Sequence, residues 1–219
     1  MDESLDDLVR RNDPDRWLSS RFIADPGARA DVIALYAFDH ELARAPKVAS
    51  NPLIGEIRLT WWREMLDEAY EGRTVRGHPT AQALAAVIEA RGLARAPLEM
   101  LIDARYRELD PTPMSHDEAT AWARDTAGVV AEVSAGLLDA RAPPGLAMDA
   151  GAAWVLARRL GDNPSWRPAF EGLLADARVS VRSLSAQAFP AVAHAALVGP
   201  GSDLTRRLRL MLAVARGRI

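Results

Sequence analysis

The chain has 219 residues, 49% hydrophobic and 26% charged, with a formal net charge of -3 and no cysteine. Disulfides, thiolate metal sites and cysteine nucleophiles are therefore excluded, and the near-neutral balance lacks the basic excess of a dedicated nucleic-acid binder. No run approaches the ~18 to 20 apolar residues of a spanning helix, and the acidic start has no apolar core of a secretory signal. A cytoplasmic protein in one domain over residues 1–219 is expected, with at most peripheral membrane contact.

In chain order, the pattern is helical almost throughout, without the alternation or the Asn-Gly turns that mark hairpins. Residues 1–15 carry six acids against two arginines and read as a frayed, disordered start. Asp25-Pro26 has the form of an N-cap followed by proline at N1. From there Val32, Leu35, Phe38 and Leu42 make an apolar stripe that Pro46 interrupts near its end. A second helix from Asn51-Pro52 carries Ile54, Ile57, Trp61, Met65 and Ala69 on one face and stops at Glu71-Gly72. A third spans about 79–89 with Gly92 in the C′ position, and a fourth begins at Pro97 and ends before Asp110.

Ser115 and Glu118 fit a capping box, which predicts a long helix through Leu138. Pro143-Pro144-Gly145 separates it from a helix ending near Leu160. After the turn Gly161-Asp-Asn-Pro164, helices are expected over 168–184, 189–197 and 204–216. The last sixteen residues hold five arginines and no acid. They form a basic amphipathic helix with Leu204, Leu208, Met211, Leu212 and Ala215 on one face. Two readings fit it: cations complementing the helix dipole, or a helix lying on an anionic membrane.

Chemistry-bearing motifs are sparse. The four histidines are scattered without zinc or di-iron spacing. There is no nucleophile elbow, Walker loop or dinucleotide fingerprint. What stands out is Tyr36-Ala-Phe-Asp-His-Glu-Leu-Ala-Arg-Ala-Pro-Lys47 followed by Arg58-Leu-Thr-Trp-Trp-Arg-Glu-Met-Leu66. In this order the two segments resemble the squalene/phytoene synthase family, over roughly residues 16–160. The resemblance implies an all-α, single-domain helical bundle of the isoprenoid-synthase type, shortened after its second motif.

In active members of that family, two aspartate clusters on facing helices hold magnesium against a prenyl diphosphate. Aligned on Tyr36-Ala37-Phe38, Ala43, Arg44 and Lys47 stand where the first cluster belongs. In the second, aligned over Gly151 to Asp162, Arg158 replaces an asparagine. Asp162 matches one aspartate, and Ser165 and Trp166 fall where further carboxylates belong. Asp162 also reads as an ordinary turn residue. Cations at these places repel magnesium, yet arginine pairs bidentately with phosphate.

Arg44, Lys47, Arg63, Asp103, Arg107 and Arg158 are therefore the candidate cavity or phosphate-binding residues, with no catalytic or metal-ligating residue assigned. Asp103 and Arg107, at i and i+4, also read as a simple ion pair. Trp61 and Trp62 read as core. Thr126-Ala127-Gly128 resembles a family segment of small residues beside the substrate chain, where Glu132 would sit awkwardly.

One branch of the family lacks the aspartates: the assembly factors of respiratory complex I and their bacterial relatives. Ala37-Phe-Asp-His-Glu-Leu-Ala43, Val48-Ala-Ser50 and Ile54-Gly-Glu-Ile-Arg-Leu59 are similar to that branch. The resemblance implies a non-catalytic factor that needs no cofactor and binds a protein or lipid partner near the inner membrane. The alternatives are an active magnesium-dependent prenyltransferase, and an isoprenoid or phospholipid carrier that kept the cavity.

Overall fold

The computed structural model describes residues 4–47, 51–199 and 201–219. The Val48-Ala-Ser50 segment thus lies outside the described residues, as do Asp2 and Glu3. Among the described residues every regular element is helical, eleven α-helices joined by short 3₁₀ segments.

The acidic start is ordered from Leu5 rather than frayed. Helices α1 (Leu5–Asn12) and α2 (Pro14–Ser20) form because Ser4 and Asp13 each cap the helix that follows them. Asp6 accepts from Trp17 Nε1 at 2.9 Å and pairs with Arg21, and Val9 is buried, so the acids have local partners.

Helix α3 (Pro26–Lys47) is the axis of the bundle. Asp25 caps it, accepting from the amides of Gly27 and Ala28, and it runs through Pro46 in its last turn. Val32, Leu35, Phe38 and Leu42 are fully buried as the stripe predicted; Ile33, Tyr36, Ala37 and Asp39 are buried as well. A helix enclosed on nearly every side has neighbours all round: α1, α2, α4 (Pro52–Tyr70), α5 (Pro79–Arg91), α6 (Arg95–Tyr106) and α8 (Val129–Leu138) pack against it.

Helix α4 is rotated from its predicted face. Gly55, Leu59, Trp62, Met65 and Leu66 point inward, whereas Ile57 is 60% exposed. Gly55 permits this rotation, because a Cβ there would meet Leu109. Trp62 is core, as expected, edge-on to Phe38 with ring centroids 5.3 Å apart.

The long helix predicted after Ser115 is present. Its capping box is complete, and it comprises α7 (His116–Ala123), a π turn (Arg124–Gly128) and α8. The π turn is where α9 (Met148–Arg159) crosses closely: a Cβ on Gly151 would lie 2.2 Å from the Ala127 carbonyl oxygen. Glu132 sits in no apolar tunnel. It accepts from the amides of Gly145 and Ala147 and fixes the loop leading into α9.

Helix α10 (Arg167–Ser180) packs on α9 and α7, where Trp122, Trp166 and Phe170 form a second, smaller apolar cluster. The helix expected over 189–197 is instead two 3₁₀ segments, Phe189–Ala191 and Ala193–Leu197, broken at Val192, whose backbone leaves the helical region. Helix α11 (Asp203–Arg216), capped by Ser202 and ended by Gly217 at φ 59°, closes the chain.

Candidate functional site

The C-terminal half of α3 and the facing side of α9 converge, with α2 and α6, on a cavity of about 370 Å³. It is polar: of fourteen lining residues only Ala43, Ala127, Trp154 and Val155 are apolar. Its floor is a buried cluster. Asp39 accepts from Arg16 on one oxygen and from Arg105 on the other, each at 2.6 Å. Arg105 also donates to Glu108 at 2.6 Å, and Glu108 takes Arg159 at 3.0 Å.

These guanidinium groups decide the carboxylates' state. Burial works to raise the Asp39 pKa, but Arg105 and Arg16 overcome it and hold it at about 2. Burial likewise opposes ionisation of Glu108, and Arg105 and Arg159 keep it below the ordinary range. Asp13 differs: burial raises its pKa, only partly offset by Arg16.

Trp154 forms one wall. Arg16 stacks at 4.5 Å and Arg158 at 4.9 Å from the indole centre, and the buried His194 meets it edge-on at 5.0 Å. Neither His194 nitrogen has a hydrogen-bond partner among the described residues, and burial, with Arg16 and Arg158 nearby, pushes its pKa well below the usual value. Asp15 lies behind this wall. It accepts from Trp154 Nε1 at 3.2 Å and Arg158 at 3.3 Å, and pairs with Arg206 of α11.

Two of the six candidate residues meet here. Lys47 and Arg158 line the mouth. Burial and then the neighbouring Arg159 lower the Lys47 pKa, and no ion pair of Lys47 forms among the described residues. Arg44 faces elsewhere, donating to Glu41 at 3.1 Å beside Arg58, Trp61 and His78. Arg63 and Asp103 pair with each other on the outer surface of α4 and α6. Arg107 binds the Thr112 carbonyl at 3.1 Å and Glu118 at 3.4 Å rather than Asp103. The i, i+4 pairing is replaced because the chain turns into a 3₁₀ segment at Arg107, which swings that side chain toward α7. Asp162 occupies an exposed turn at the cavity rim, and Asp149 is taken by Arg124 at 2.8 Å.

Arg16, Asp39, Arg105, Arg159 and Trp154 were not singled out in the sequence, though two of them carried a signal. Asp39 follows Leu35 by four residues, and Arg105 follows Leu101 by four. Each therefore sits on an apolar stripe, where a charge requires a buried partner.

The donors do not suit magnesium. Hard divalent cations need several carboxylate oxygens free to coordinate. Of the three carboxylates lining the cavity, Asp39 is held by Arg16 and Arg105, Asp13 is paired with Arg16 at 3.5 Å, and Asp162 stands singly at the rim. Among the described residues no group of three or more His, Asp or Glu is placed to hold a metal ion.

The helix order and the polar cavity at the helix ends define an all-α fold of the isoprenoid-synthase type. A dehydrosqualene synthase crystallised with ligand superposes with a TM-score of 0.70 at 14% identity, over 96% of this chain and 94% of that one. Squalene synthase HpnC from Alicyclobacillus acidocaldarius gives a TM-score of 0.68 at 17% identity, over 97% and 92%. The squalene/phytoene synthase family profile matches residues 9–163, and the chain belongs to that family.

Similar proteins include NADH dehydrogenase (ubiquinone) complex I, assembly factor 6, from Bos taurus, 29% identical over 104 residues, 48% of this chain and 31% of that one. The Homo sapiens protein is 28% identical over 104 residues, with the same shares. A Dictyostelium discoideum homolog is 25% identical over 100 residues, 46% of this chain and 28% of its own. The matched segments span about a third of the length of these relatives.

Proposed function

We propose that this chain is a non-catalytic member of the family that works as a respiratory complex I assembly-type factor, binding a protein or lipid partner in the cytoplasm at or near the inner membrane. One observation carries the reading. Ala43 and Lys47 stand at the cavity where metal-holding carboxylates would be needed. Of the three carboxylates that line it, Asp39 is bound by Arg16 and Arg105 and Asp13 by Arg16, which leaves Asp162 as a single carboxylate at the rim. Ionising an allylic diphosphate requires divalent cation to neutralise the leaving group, and a lysine flanked by Arg158 and Arg159 repels that cation. The similarity to complex I assembly factors supports the assembly role, over less than half of this chain. The test is diphosphate release from farnesyl and geranylgeranyl diphosphate, with and without magnesium, beside an active synthase. No release above buffer is expected; magnesium-dependent turnover would restore the prenyltransferase reading.

A second reading rests on Lys47, which lines the cavity and forms no direct ion pair among the described residues. With Arg158 and Arg159 it supports metal-free binding of a phosphorylated ligand, the carrier alternative. Calorimetric titration with inorganic diphosphate in chelator tests it. Heat of binding that Lys47→Ala and Arg158→Ala diminish would support it, and absence of heat would remove it.

A further inference from the structure

We propose that α11 is an interfacial helix whose outer face lies in the surface of an anionic phospholipid bilayer. Successive residues turn by about 100° around a helix, so Leu204, Leu208, Met211, Leu212 and Ala215 share one arc. The four large side chains on it are 49–69% exposed. Of nine large apolar side chains exposed among the described residues, four gather here; of the other five, Leu53 and Ile57 form a pair one turn apart on α4, and Phe22, Met100 and Val179 lie on separate elements. The stripe does not face outward through loose packing. Leu210 and Ala213, on the opposite side, are 2% and 5% exposed against the 3₁₀ segment Ala193–Leu197, and Arg206 is tied to Asp15.

Charge identifies the occupant. Arg207 borders the apolar arc on one side, and Arg209 and Arg216 border it on the other. The only acid in α11 is Asp203, in the first turn, where it complements the helix dipole. An apolar stripe with arginine on either side matches a bilayer surface: leucine and methionine enter the acyl boundary while guanidinium groups reach lipid phosphates. Among the described residues no helix is long and apolar enough to cross a membrane, and the contact proposed for α11 is one of surface docking. The inference stands on α11 alone and is independent of whether the cavity is catalytic. Through Asp15, which holds both Arg206 and Arg158, the docking helix is also joined to the cavity wall.

Flotation of the purified full chain with vesicles tests this. The chain is expected to float with phosphatidylcholine–phosphatidylglycerol vesicles, to stay behind with phosphatidylcholine alone, and to be released by salt. The double substitution Leu208→Asp, Met211→Asp should abolish flotation while leaving the melting temperature unchanged, because both side chains are exposed. Arg207→Ala and Arg216→Ala should each weaken partitioning about fivefold, equivalent to about 1 kcal/mol per cation near the surface. Absence of flotation on anionic vesicles, or undiminished flotation of the double variant, would overturn the proposal. So would a wild-type dimer in size-exclusion chromatography that the same double substitution splits, since the face would then belong to a second copy.

Discussion

The cavity floor and the outer surface of α4 and α6 are both built from arginine–carboxylate pairs, yet the two regions do unlike things. On the surface, Arg63 meets Asp103 with side chains 36% and 59% exposed. Water screens such a pair and the side chains lose freedom to form it, so little stability results. On the floor, Asp39 is closed in by Arg16 and Arg105, all under 9% exposed. There each charge depends on the others for its solvation, and none can be removed alone. The same geometry that makes the floor structurally indispensable withdraws its carboxylates from metal chemistry.

Breaking the floor should have the largest effect. Asp39→Ala leaves two buried guanidinium groups facing each other and is expected to cost about 3–5 kcal/mol in urea unfolding. Next is the helix crossing that shapes the cavity wall. Gly151→Ala places a methyl group against the Ala127 carbonyl, and α9 must move away at a cost of about 1–3 kcal/mol, read as a lower melting temperature.

The pH dependence separates the regions further. His194 is kept neutral in the fold, so only the unfolded chain takes up its proton as pH drops below about 6.5. Stability is then full above that value and falls below it, by at most about 1.4 kcal/mol per pH unit. His40, also lowered by burial, adds in the same direction. His194→Leu should flatten most of this slope in thermal melts between pH 7 and 5. Asp39, whose pKa falls from its ordinary 3.8 to about 2 on folding, contributes stability that is present above pH 4 and lost as pH falls toward 2. The smallest effect sharpens the contrast from the other side: Arg63→Ala should change unfolding free energy by under about 1 kcal/mol. A loss approaching that of Asp39→Ala would make burial the wrong criterion for telling the regions apart.

Much of the fold was legible because its signals are local. Asp25, Asn51 and Ser115 cap the helices they were expected to start, and Gly92 ends α5 in a left-handed conformation at φ 60°. The stripe Val32, Leu35, Phe38, Leu42 is core because helical period and apolar character coincide. The face of α4 was misjudged because which side a helix turns inward depends on its neighbour: Gly55 lets Leu109 approach and leaves Ile57 in solvent. The segment over 189–197 failed for a related reason, since alanine-rich composition does not choose between α and 3₁₀ turns when packing limits the space.

By itself the sequence pointed to an all-α member of the squalene/phytoene synthase family and to a last helix that is basic and amphipathic. Those are properties of residue type and spacing along one element. Only the tertiary structure decided that Lys47 and Arg158 share a cavity mouth while Arg44, Arg63, Asp103 and Arg107 lie outside it. It also decided that Asp39 is bound between arginines 23 and 66 residues away, and that the apolar stripe of α11 faces outward. Side-chain charges act through space over a few ångströms, and the chain brings distant segments within that range only once its helices have packed.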